Sequence, residues 1–510
     1  MIFAPPLPPH KRIAHAEWPY ATDRPVSPLA LGIAAIAALL VACSTRAAPA
    51  PRASVLPGIA TNGSGWRYEV EVGAGAEELA VAASFARGAP EELSVDDGAE
   101  RFVREVEIAE GGSWRALAQK GTSWFAPTCH EKGCRIRYRF LLGDAARALD
   151  DLDVAAERDG VMLAPPSTWL LHPLQPTPGE PFVMHVVSPP GLSFATGVLA
   201  APGGASDTYQ ADVSDLFEAP YSAFGRMQRT RLELPGGAID LAVLPGEMAV
   251  DPDALRRWVE DSARAVAGFY GRFPLRRALV MLVPTRGAGF GYAKTLGNGG
   301  ATILAPIGSA TRQDGLDSDW VMTHELVHLA FPNVPRKHAW LEEGIATYVE
   351  PLARARMGTL DERRVWRGML LGLPRGLPAA GDRGLDQTPT WGRTYWGGAL
   401  FCLLADLEIR ERTSNQRSLD DALRGILAAG GDITVRWPLA RALDAGDAAT
   451  GVPVLRELHA RMGTSPAPVD LDALWRRLGV SLQDGQVVFD DAAPLAAIRR
   501  SLTARRRPAP

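Results

Sequence analysis

Apolar and polar residues alternate along much of the chain between residues 66 and 244, which is the pattern of strands that bury one face. The clearest alternating segments are 68–72, 135–140 and 182–187, and clusters of Gly and Pro separate such segments. We therefore predict an antiparallel β-sandwich or saddle domain over this part of the chain.

The pattern changes after residue 252, where apolar residues begin to recur with the period of a helix. Segment 254–270 predicts an amphipathic helix, segment 278–283 a buried strand and segment 301–305 a short edge strand. A small sheet followed by helices is therefore expected in the middle of the chain.

Helices are predicted for most of the remaining chain. The first covers 316–330, with Asp317 or Ser318 as its N-cap residue. Past residue 395 the pattern is helical to about residue 503, with helices near 400–409, 419–427 and 470–478.

The segment 29–42 is a continuous run of apolar residues and Gly. It is shorter than the roughly 20 residues that span a bilayer, and it matches the apolar core of a signal peptide. It ends in Leu40-Val41-Ala42-Cys43, which resembles the bacterial lipobox and predicts lipidation of Cys43. A secretory signal with an incidental Cys, or a buried helix, is the alternative. The lipobox implies a protein anchored in the lipid bilayer of a bacterial cell envelope, facing the periplasm or the exterior.

Cysteine use agrees with export. Cys129 and Cys134 enclose a short turn-like loop, and an oxidising compartment would allow a disulfide between them; the sequence leaves open whether they pair. A metal site that uses His130 is the alternative, but it lacks enough ligands. Cys402 lies in an apolar run and is predicted to be a buried apolar residue.

The charge of the chain restricts its partners. The formal net charge is −4, and acidic residues are interspersed among basic residues that are mostly Arg. This distribution argues against a nucleic-acid-binding surface.

The strongest chemical signal is His324-Glu325-Leu326-Val327-His328, followed fifteen residues later by Glu343. Two His residues four apart on a helix face the same way and can bind one Zn²⁺. A catalytic zinc site usually has a third protein ligand and an open position for water. The spacing predicts one zinc per chain, held by His324, His328 and Glu343. Glu325 is predicted to be the general base that acts on a zinc-activated water.

The residues after this motif resemble a known family. Segment 340–350 reads Trp-Leu-Glu-Glu-Gly-Ile-Ala-Thr-Tyr-Val-Glu and looks like the segment after HExxH in the aminopeptidase N family. Segment 395–400 is similar to that family's Tyr-x-Lys-Gly stretch. Segments 216–221 and 269–274 look closer to the glycyl aminopeptidase family of the same gluzincin clan of zinc peptidases. The resemblance implies a thermolysin-like zinc catalytic domain.

The resemblance also implies roles for single residues. The acid just before Gly is the third zinc ligand in the aminopeptidase N family, which favours Glu343 over Glu342 or His338. The hydroxyl of Tyr395 corresponds to the group that stabilises the oxyanion, and Tyr348 is the competing candidate.

Thr347 lies one helical turn after Glu343. Thermolysin-like enzymes often have a group there that orients a ligand His, so we predict this role for Thr347.

One segment departs from both families. Each has a Gly-rich edge strand that ends in Glu, which binds the free amino terminus of the substrate. Here the matching segment contains Gly287, Gly289 and Gly291, which let a substrate backbone approach closely, but it contains Lys294 and no acid. Docking of a peptide along this strand is expected, whereas recognition of a charged amino terminus is not.

We therefore predict a membrane-anchored zinc metallopeptidase, aminopeptidase-like by resemblance, acting on peptide or protein substrates as an exo- or endopeptidase. Two alternatives stay open: a non-catalytic surface lipoprotein that binds a partner and keeps a relic zinc site, and a zinc hydrolase of a non-peptide substrate. The fold class is multidomain α+β. Its predicted segments are a signal segment with lipobox at 1–43, a flexible linker at 44–62, a β-rich N-terminal domain at 63–247, a thermolysin-like catalytic domain at 248–412 and a helical C-terminal domain at 413–510.

Overall fold

A computed structural model describes residues 65–174, 179–203 and 207–505. The predicted signal segment, the linker and Cys43 lie outside the described residues. Within those three ranges, no helix is both long and apolar enough to cross a bilayer.

The first part of the described chain is rich in short strands, as the alternating pattern predicts. Side chains of Trp66, Tyr68 and Val70 are buried, whereas the intervening Arg67 and Glu69 are not. The strands are β1 (Trp66–Val72), β2 (Leu79–Phe85), β3 (Glu92–Ser94), β4 (Val103–Glu110), β5 (Ser113–Ala116), β6 (Gln119–Lys120), β7 (Ser123–Phe125), β8 (Cys134–Phe140), β9 (Ala156–Arg158), β10 (Val161–Ala164), β11 (His172–Pro173), β12 (Pro181–Val187), β13 (Ser193–Thr196), β14 (Thr208–Asp212) and β15 (Ser222–Gly225), and the helices are α1 (Pro127–Lys132), α2 (Leu142–Leu149) and α3 (Pro166–Trp169).

These strands form a seven-stranded sheet in the order β14-β12-β1-β2-β8-β4-β5 and two four-stranded sheets. The described pairs are antiparallel, as predicted, except that β1 and β12 run parallel. These two strands are far apart in sequence. Their relative direction depends on the path of the chain between them, which the alternating pattern does not reveal. Cys129 and Cys134 are joined by a disulfide, which ties α1 to the start of β8.

The middle of the chain forms a second sheet with helices packed against it. Its elements are β16 (Gln228–Leu234), β17 (Gly237–Val243), α4 (Pro252–Tyr270), β18 (Arg277–Thr285), β19 (Lys294–Leu296), β20 (Thr302–Gly308), α5 (Gln313–Ser318), α6 (Val321–His328), α7 (Ala339–Met357) and α8 (Glu362–Gly372).

The strand order of this sheet is β16-β17-β18-β20-β19. The segment predicted as an edge strand, 301–305, therefore belongs to an inner strand, and the edge is β19. The sheet also begins at Gln228, so the predicted boundary between residues 247 and 248 falls after its first two strands. The alternation of apolar and polar residues in β16 and β17 would be the same in either sheet. Only the pairing of β17 with β18 shows that β16 and β17 belong to the second sheet.

Helices dominate the rest of the chain, as predicted, with one added hairpin. Asp484 and Gly485 both have positive φ angles and form its two-residue turn. The elements are α9 (Gly398–Arg412), α10 (Leu419–Ala428), α11 (Leu439–Thr450), α12 (Val454–Met462), α13 (Leu471–Leu478), β21 (Val480–Gln483), β22 (Gln486–Phe489) and α14 (Ala496–Thr503).

One face of the second sheet packs against the N-terminal β region in a small apolar cluster. The main apolar core extends from Leu232 to Leu502. The second sheet and the C-terminal helices share it, so the predicted boundary at residue 412 does not separate two cores. Helix α7 lies in the middle of this core, in contact with α4, α6 and α9.

Glycines allow α7 and α9 to touch at their backbones. A Cβ atom on Gly344 would overlap the backbone of Gly398, and a Cβ atom on Gly398 would overlap the carbonyl oxygen of Trp340. This close approach sets the separation of the two helices.

We expect Gly344→Ala to lower the free energy of unfolding by about 1–3 kcal/mol, because backbone atoms rather than a flexible side chain would have to move. Thermal and denaturant unfolding would measure the change. Gly268, also in a helix, is the control, because nothing lies near its Cβ position. Gly268→Ala should be neutral or stabilising by up to about 1 kcal/mol. Equal stability of Gly344→Ala and Gly268→Ala would contradict the close helix contact.

Candidate metal centre and active site

Helix α6 presents the two predicted His ligands on one face. The ring centroids of His324 and His328 are 5.0 Å apart. The helix predicted over 316–330 is divided in two, because Asp319 interrupts it. Its carboxylate accepts hydrogen bonds of 3.0 Å from the backbone N–H groups of Val321 and Met322 and so caps α6. Asp319 therefore takes the capping role predicted for Asp317 or Ser318.

Helix α7 brings Glu343 to both imidazoles. Its Oε2 lies 3.2 Å from Nε2 of His324 and 3.7 Å from Nε2 of His328. Ligand atoms roughly 2.0–2.1 Å from one tetrahedral Zn²⁺ lie about 3.3 Å from each other. The three side chains thus have the donor types and the spacing that zinc requires.

The protonation states of the two His residues differ. Burial lowers the pKa of His328 to about 4, so its imidazole is neutral and ready to act as a ligand. Burial also lowers the pKa of His324, but the hydrogen bond and negative charge of Glu343 outweigh it and raise that pKa above its usual value. A metal ion would take the place of the proton that His324 and Glu343 share.

Glu325 is buried beside the three candidate ligands. Burial raises the pKa of Glu325 to about 7, although the charge of His324 and a hydrogen bond from Thr295 oppose the shift. That bond joins Thr295 Oγ1, on the edge strand β19, to Glu325 Oε2 at 2.6 Å. A carboxyl group that gains and loses a proton near neutral pH suits a general base.

Tyr395 faces the same site. It lies in a π-helical turn at Arg393–Gly397, and its ring stacks at 6.3 Å on the ring of His324. Burial, the charge of Glu343 and a hydrogen bond with Glu343 raise the pKa of Tyr395, so its hydroxyl stays protonated. The competing candidate Tyr348 points away, because its hydroxyl donates a 2.8 Å hydrogen bond to the buried Asp406.

A second tyrosine at the site was not predicted. Partial burial and the negative charges of Glu343 and Glu325 raise the pKa of Tyr292 to about 12. The only sequence signal for Tyr292 was its place two residues before Lys294, in the segment matched to the substrate strand.

The contact predicted for Thr347 is not made. Its hydroxyl is buried and forms no hydrogen bond within the part of the chain that the structure describes. Glu350, one turn further along α7, is a buried acid that adds to the effect of Glu343 and Glu325 in raising the pKa of His324. Its carboxylate also accepts a 2.8 Å hydrogen bond from Arg354.

The three glycines predicted to form the substrate strand lie in the loop before β19. Gly287 and Gly289 have positive φ angles, which end regular strand structure there. Backbone groups of this loop are bonded to residues 306–311, for example Gly291 N to the Pro306 oxygen at 2.9 Å. The regular edge strand therefore begins at Lys294.

Lys294 is paired with a carboxylate that no local sequence signal could reveal. Its ammonium contacts Asp153, which belongs to the N-terminal β region. Tyr221 donates a 2.7 Å hydrogen bond to the same carboxylate oxygen. The charge of Lys294 is therefore balanced by a residue 141 positions away.

The two other ligand candidates are engaged elsewhere. Glu342 accepts a 2.9 Å hydrogen bond from the backbone N–H of Val334. His338 groups with Asp386 and His459, a set whose donor atoms also converge. Its N···O distances of 2.7 and 3.0 Å are those of hydrogen bonds, shorter than the roughly 3.3 Å of two zinc ligands. We interpret this cluster as a hydrogen-bonded tie between the start of α7 and α12.

The fold is similar to that of an aminopeptidase N family protein from Idiomarina loihiensis. The sequence identity is 13%, the match covers 82% of this chain and 79% of that chain, and the TM-score is 0.61. An M1 zinc metallopeptidase from Deinococcus radiodurans matches at 17% identity over 79% and 95% of the two chains, with a TM-score of 0.47. No family model matches the sequence, and no curated protein is significantly similar to it. The predicted resemblance to aminopeptidase N-like zinc peptidases, and the multidomain α+β fold class, are confirmed at the level of the fold.

We expect the purified protein to bind one zinc per chain and Glu343→Ala to lose it, because two imidazoles alone make a weak site. Elemental analysis after dialysis would measure the metal content. Glu342→Gln is the matched control, since the amide oxygen can still accept the bond from Val334. Full zinc retention by Glu343→Ala would show that Glu343 is not a ligand.

Proposed function

We propose that this protein is a zinc-dependent metallopeptidase with an aminopeptidase-like fold. The observation that supports this most directly is the convergence of His324, His328 and Glu343 beside a buried carboxyl group, Glu325, whose pKa is raised to about 7. A relic zinc site would have no need of such a general base, and the fold similarity favours a peptide substrate over a non-peptide one.

In this proposal the two His residues and Glu343 hold the metal. Zinc, when bound, supplies a Lewis acid that acidifies water and polarises a carbonyl group. Glu325 accepts the proton of the attacking water and later delivers it to the leaving amine. Thr295 holds one oxygen of Glu325 by a 2.6 Å hydrogen bond, which leaves the other oxygen for the proton transfer. The protonated hydroxyl of Tyr395 donates a hydrogen bond to the substrate oxygen as negative charge develops there.

We expect Glu325→Gln to keep its zinc and lose peptidase activity by several orders of magnitude, because the amide cannot accept the proton. Cleavage of a mixed peptide library, read by mass spectrometry, would measure activity, and elemental analysis would measure zinc. Glu247→Gln, a change at an exposed acid, is the control and should behave as wild type. Unchanged turnover by Glu325→Gln would refute the mechanism.

The mode of cleavage is part of the proposal. A peptide can pair with β19, the edge strand, by backbone hydrogen bonds. The strand offers no acid for a substrate amino terminus, and Glu342 and Glu350 are bonded to Val334 and Arg354. We therefore infer that a free amino terminus is not strictly required.

We expect an N-acetylated peptide to be cleaved within about tenfold of its free-amine form. A charge-assisted hydrogen bond to an ammonium is worth about 1.5–3 kcal/mol, or roughly ten- to a hundredfold in binding. Comparing kcat/KM for the two forms is the measurement. A preference for the free amine of roughly a hundredfold or more would reveal an amine-binding group and an aminopeptidase.

We also propose that the protein is anchored to the membrane of a bacterial cell envelope through Cys43. Support comes from the sequence Leu40-Val41-Ala42-Cys43 after an apolar run. The paired Cys129 and Cys134 are consistent with an exported protein.

In a bacterial host the protein should incorporate labelled fatty acid and fractionate with membranes, whereas Cys43→Ala should do neither. Cys402→Ala is the control and should keep the label, because Cys402 is buried in the core. Labelling that persists in Cys43→Ala would rule out lipidation at this residue.

A further inference from the structure

A cavity of about 580 Å³ lies between the N-terminal β region and the second sheet. Asp96, Asp97 and Asp153 line it from the N-terminal side. Thr295, the middle residue of β19, and Asn298, in the loop that follows, line it from the other side. Cavities of this size accept whole side chains or small ligands.

The cavity borders the candidate active site at Thr295. This residue lines the cavity and also donates the hydrogen bond to Glu325. Among the described strands β19 pairs only with β20, so its other edge can receive a peptide. A peptide bound there would have one side chain next to the cavity, since successive side chains of a strand point to opposite faces.

The lining of the cavity is acidic. It contains three Asp residues and no Lys or Arg. Burial lowers the pKa of His172, so this lining residue adds no positive charge at neutral pH. Asp153 is paired with Lys294. No Lys or Arg of the lining balances Asp96 or Asp97. Burial raises the pKa of Asp96, and hydrogen bonds from Ser167 and Thr168 oppose that shift.

Two features show that the cavity wall can accept further hydrogen bonds. Asp97 is exposed and forms no ion pair within the described residues. Ser94, another lining residue, is 3% exposed, and its hydroxyl has no hydrogen-bond partner in the described part of the chain. Asp96 is held in place by hydrogen bonds of 2.8 and 2.9 Å from Ser167 and Thr168.

We propose that this cavity binds the cationic side chain of a Lys or Arg residue in a peptide held along β19, with Asp96 and Asp97 as the specificity-determining residues. The inference rests on the proposed peptidase function and adds a substrate class to it. A long side chain suits a cavity of this volume, whereas the ammonium of an amino terminus would fill only a small part of it. An ammonium or guanidinium group can also donate several hydrogen bonds, and carboxylates are their best acceptors.

The first test compares N-acetylated peptides of one scaffold that carry Lys, norleucine or Glu at each position in turn. At one position, kcat/KM should be at least about tenfold higher for Lys than for norleucine, the lower end expected for a charge-assisted contact. Asp97→Asn should reduce this ratio by about threefold or more, and the double variant with Asp96→Asn should bring it close to one. Glu131→Gln removes the same charge from an exposed site on α1 and should leave the ratio unchanged.

If the wild type cleaved the Lys and norleucine peptides with nearly equal kcat/KM at every position, the proposal would be overturned. A Lys preference that neither Asp variant alters would also overturn it. A preference that appears only when the peptides keep a free amino terminus would assign the cavity to that ammonium instead of a side chain, and would also overturn it.

A binding measurement separates this proposal from the proposed function. Fluorescence anisotropy with zinc-loaded Glu325→Gln would give the affinity for the labelled Lys and norleucine peptides without turnover. Tighter binding of the Lys peptide that Asp97→Asn weakens, with no cleavage by the wild type, would support the cavity and refute the peptidase. Cleavage by the wild type without a Lys preference in either experiment would support the peptidase and refute the cavity.

Discussion

The contact between α7 and α9 is the constraint on which the candidate active site depends. Helix α7 carries Glu343, and the turn before α9 carries Tyr395. Because Gly344 and Gly398 have no side chains, the two helices approach until their backbones touch. Larger residues would move Glu343 away from Tyr395, and the same shift would change its distance to His324. The glycine beside the acid in the segment 340–350 is thus a packing requirement as well as part of a recognisable pattern.

Burial then determines the chemistry of the groups that these helices bring together. The same loss of water raises the pKa of Glu325 to about 7 and lowers that of His328 to about 4, since burial disfavours the charged form of each. The result is a neutral imidazole that can bind a metal and a carboxyl group that can exchange a proton near neutral pH. Geometry also distinguishes this site from the His338 cluster. The Glu343 oxygen lies 3.2 and 3.7 Å from the two imidazole nitrogens, which brackets the roughly 3.3 Å between two zinc ligands, whereas the distances around Asp386 are 2.7 and 3.0 Å.

The N-terminal β region contributes to the site as well as to the fold. Asp153 balances the charge of Lys294 on the edge strand, and Asp96 and Asp97 complete an acidic cavity at the end of that strand. The surface next to the edge strand therefore depends on residues from both parts of the chain. A change in the β region can alter substrate preference without touching the candidate zinc ligands.

The sequence by itself determined the features that depend on local spacing. The repeat of 3.6 residues per turn places His324 and His328 on one face of a helix, and the alternation of apolar residues identifies the strands. The family resemblance, not the spacing alone, selected the acid before Gly344 as the candidate third ligand. Only the tertiary structure showed that Thr295 holds Glu325, that Asp153 balances Lys294, that the hydroxyl of Thr347 makes no hydrogen bond to a candidate ligand, and that residues 302–308 form an inner strand. Each of these depends on segments that are distant along the chain, and the packing of a shared core, which no local pattern encodes, brings them together.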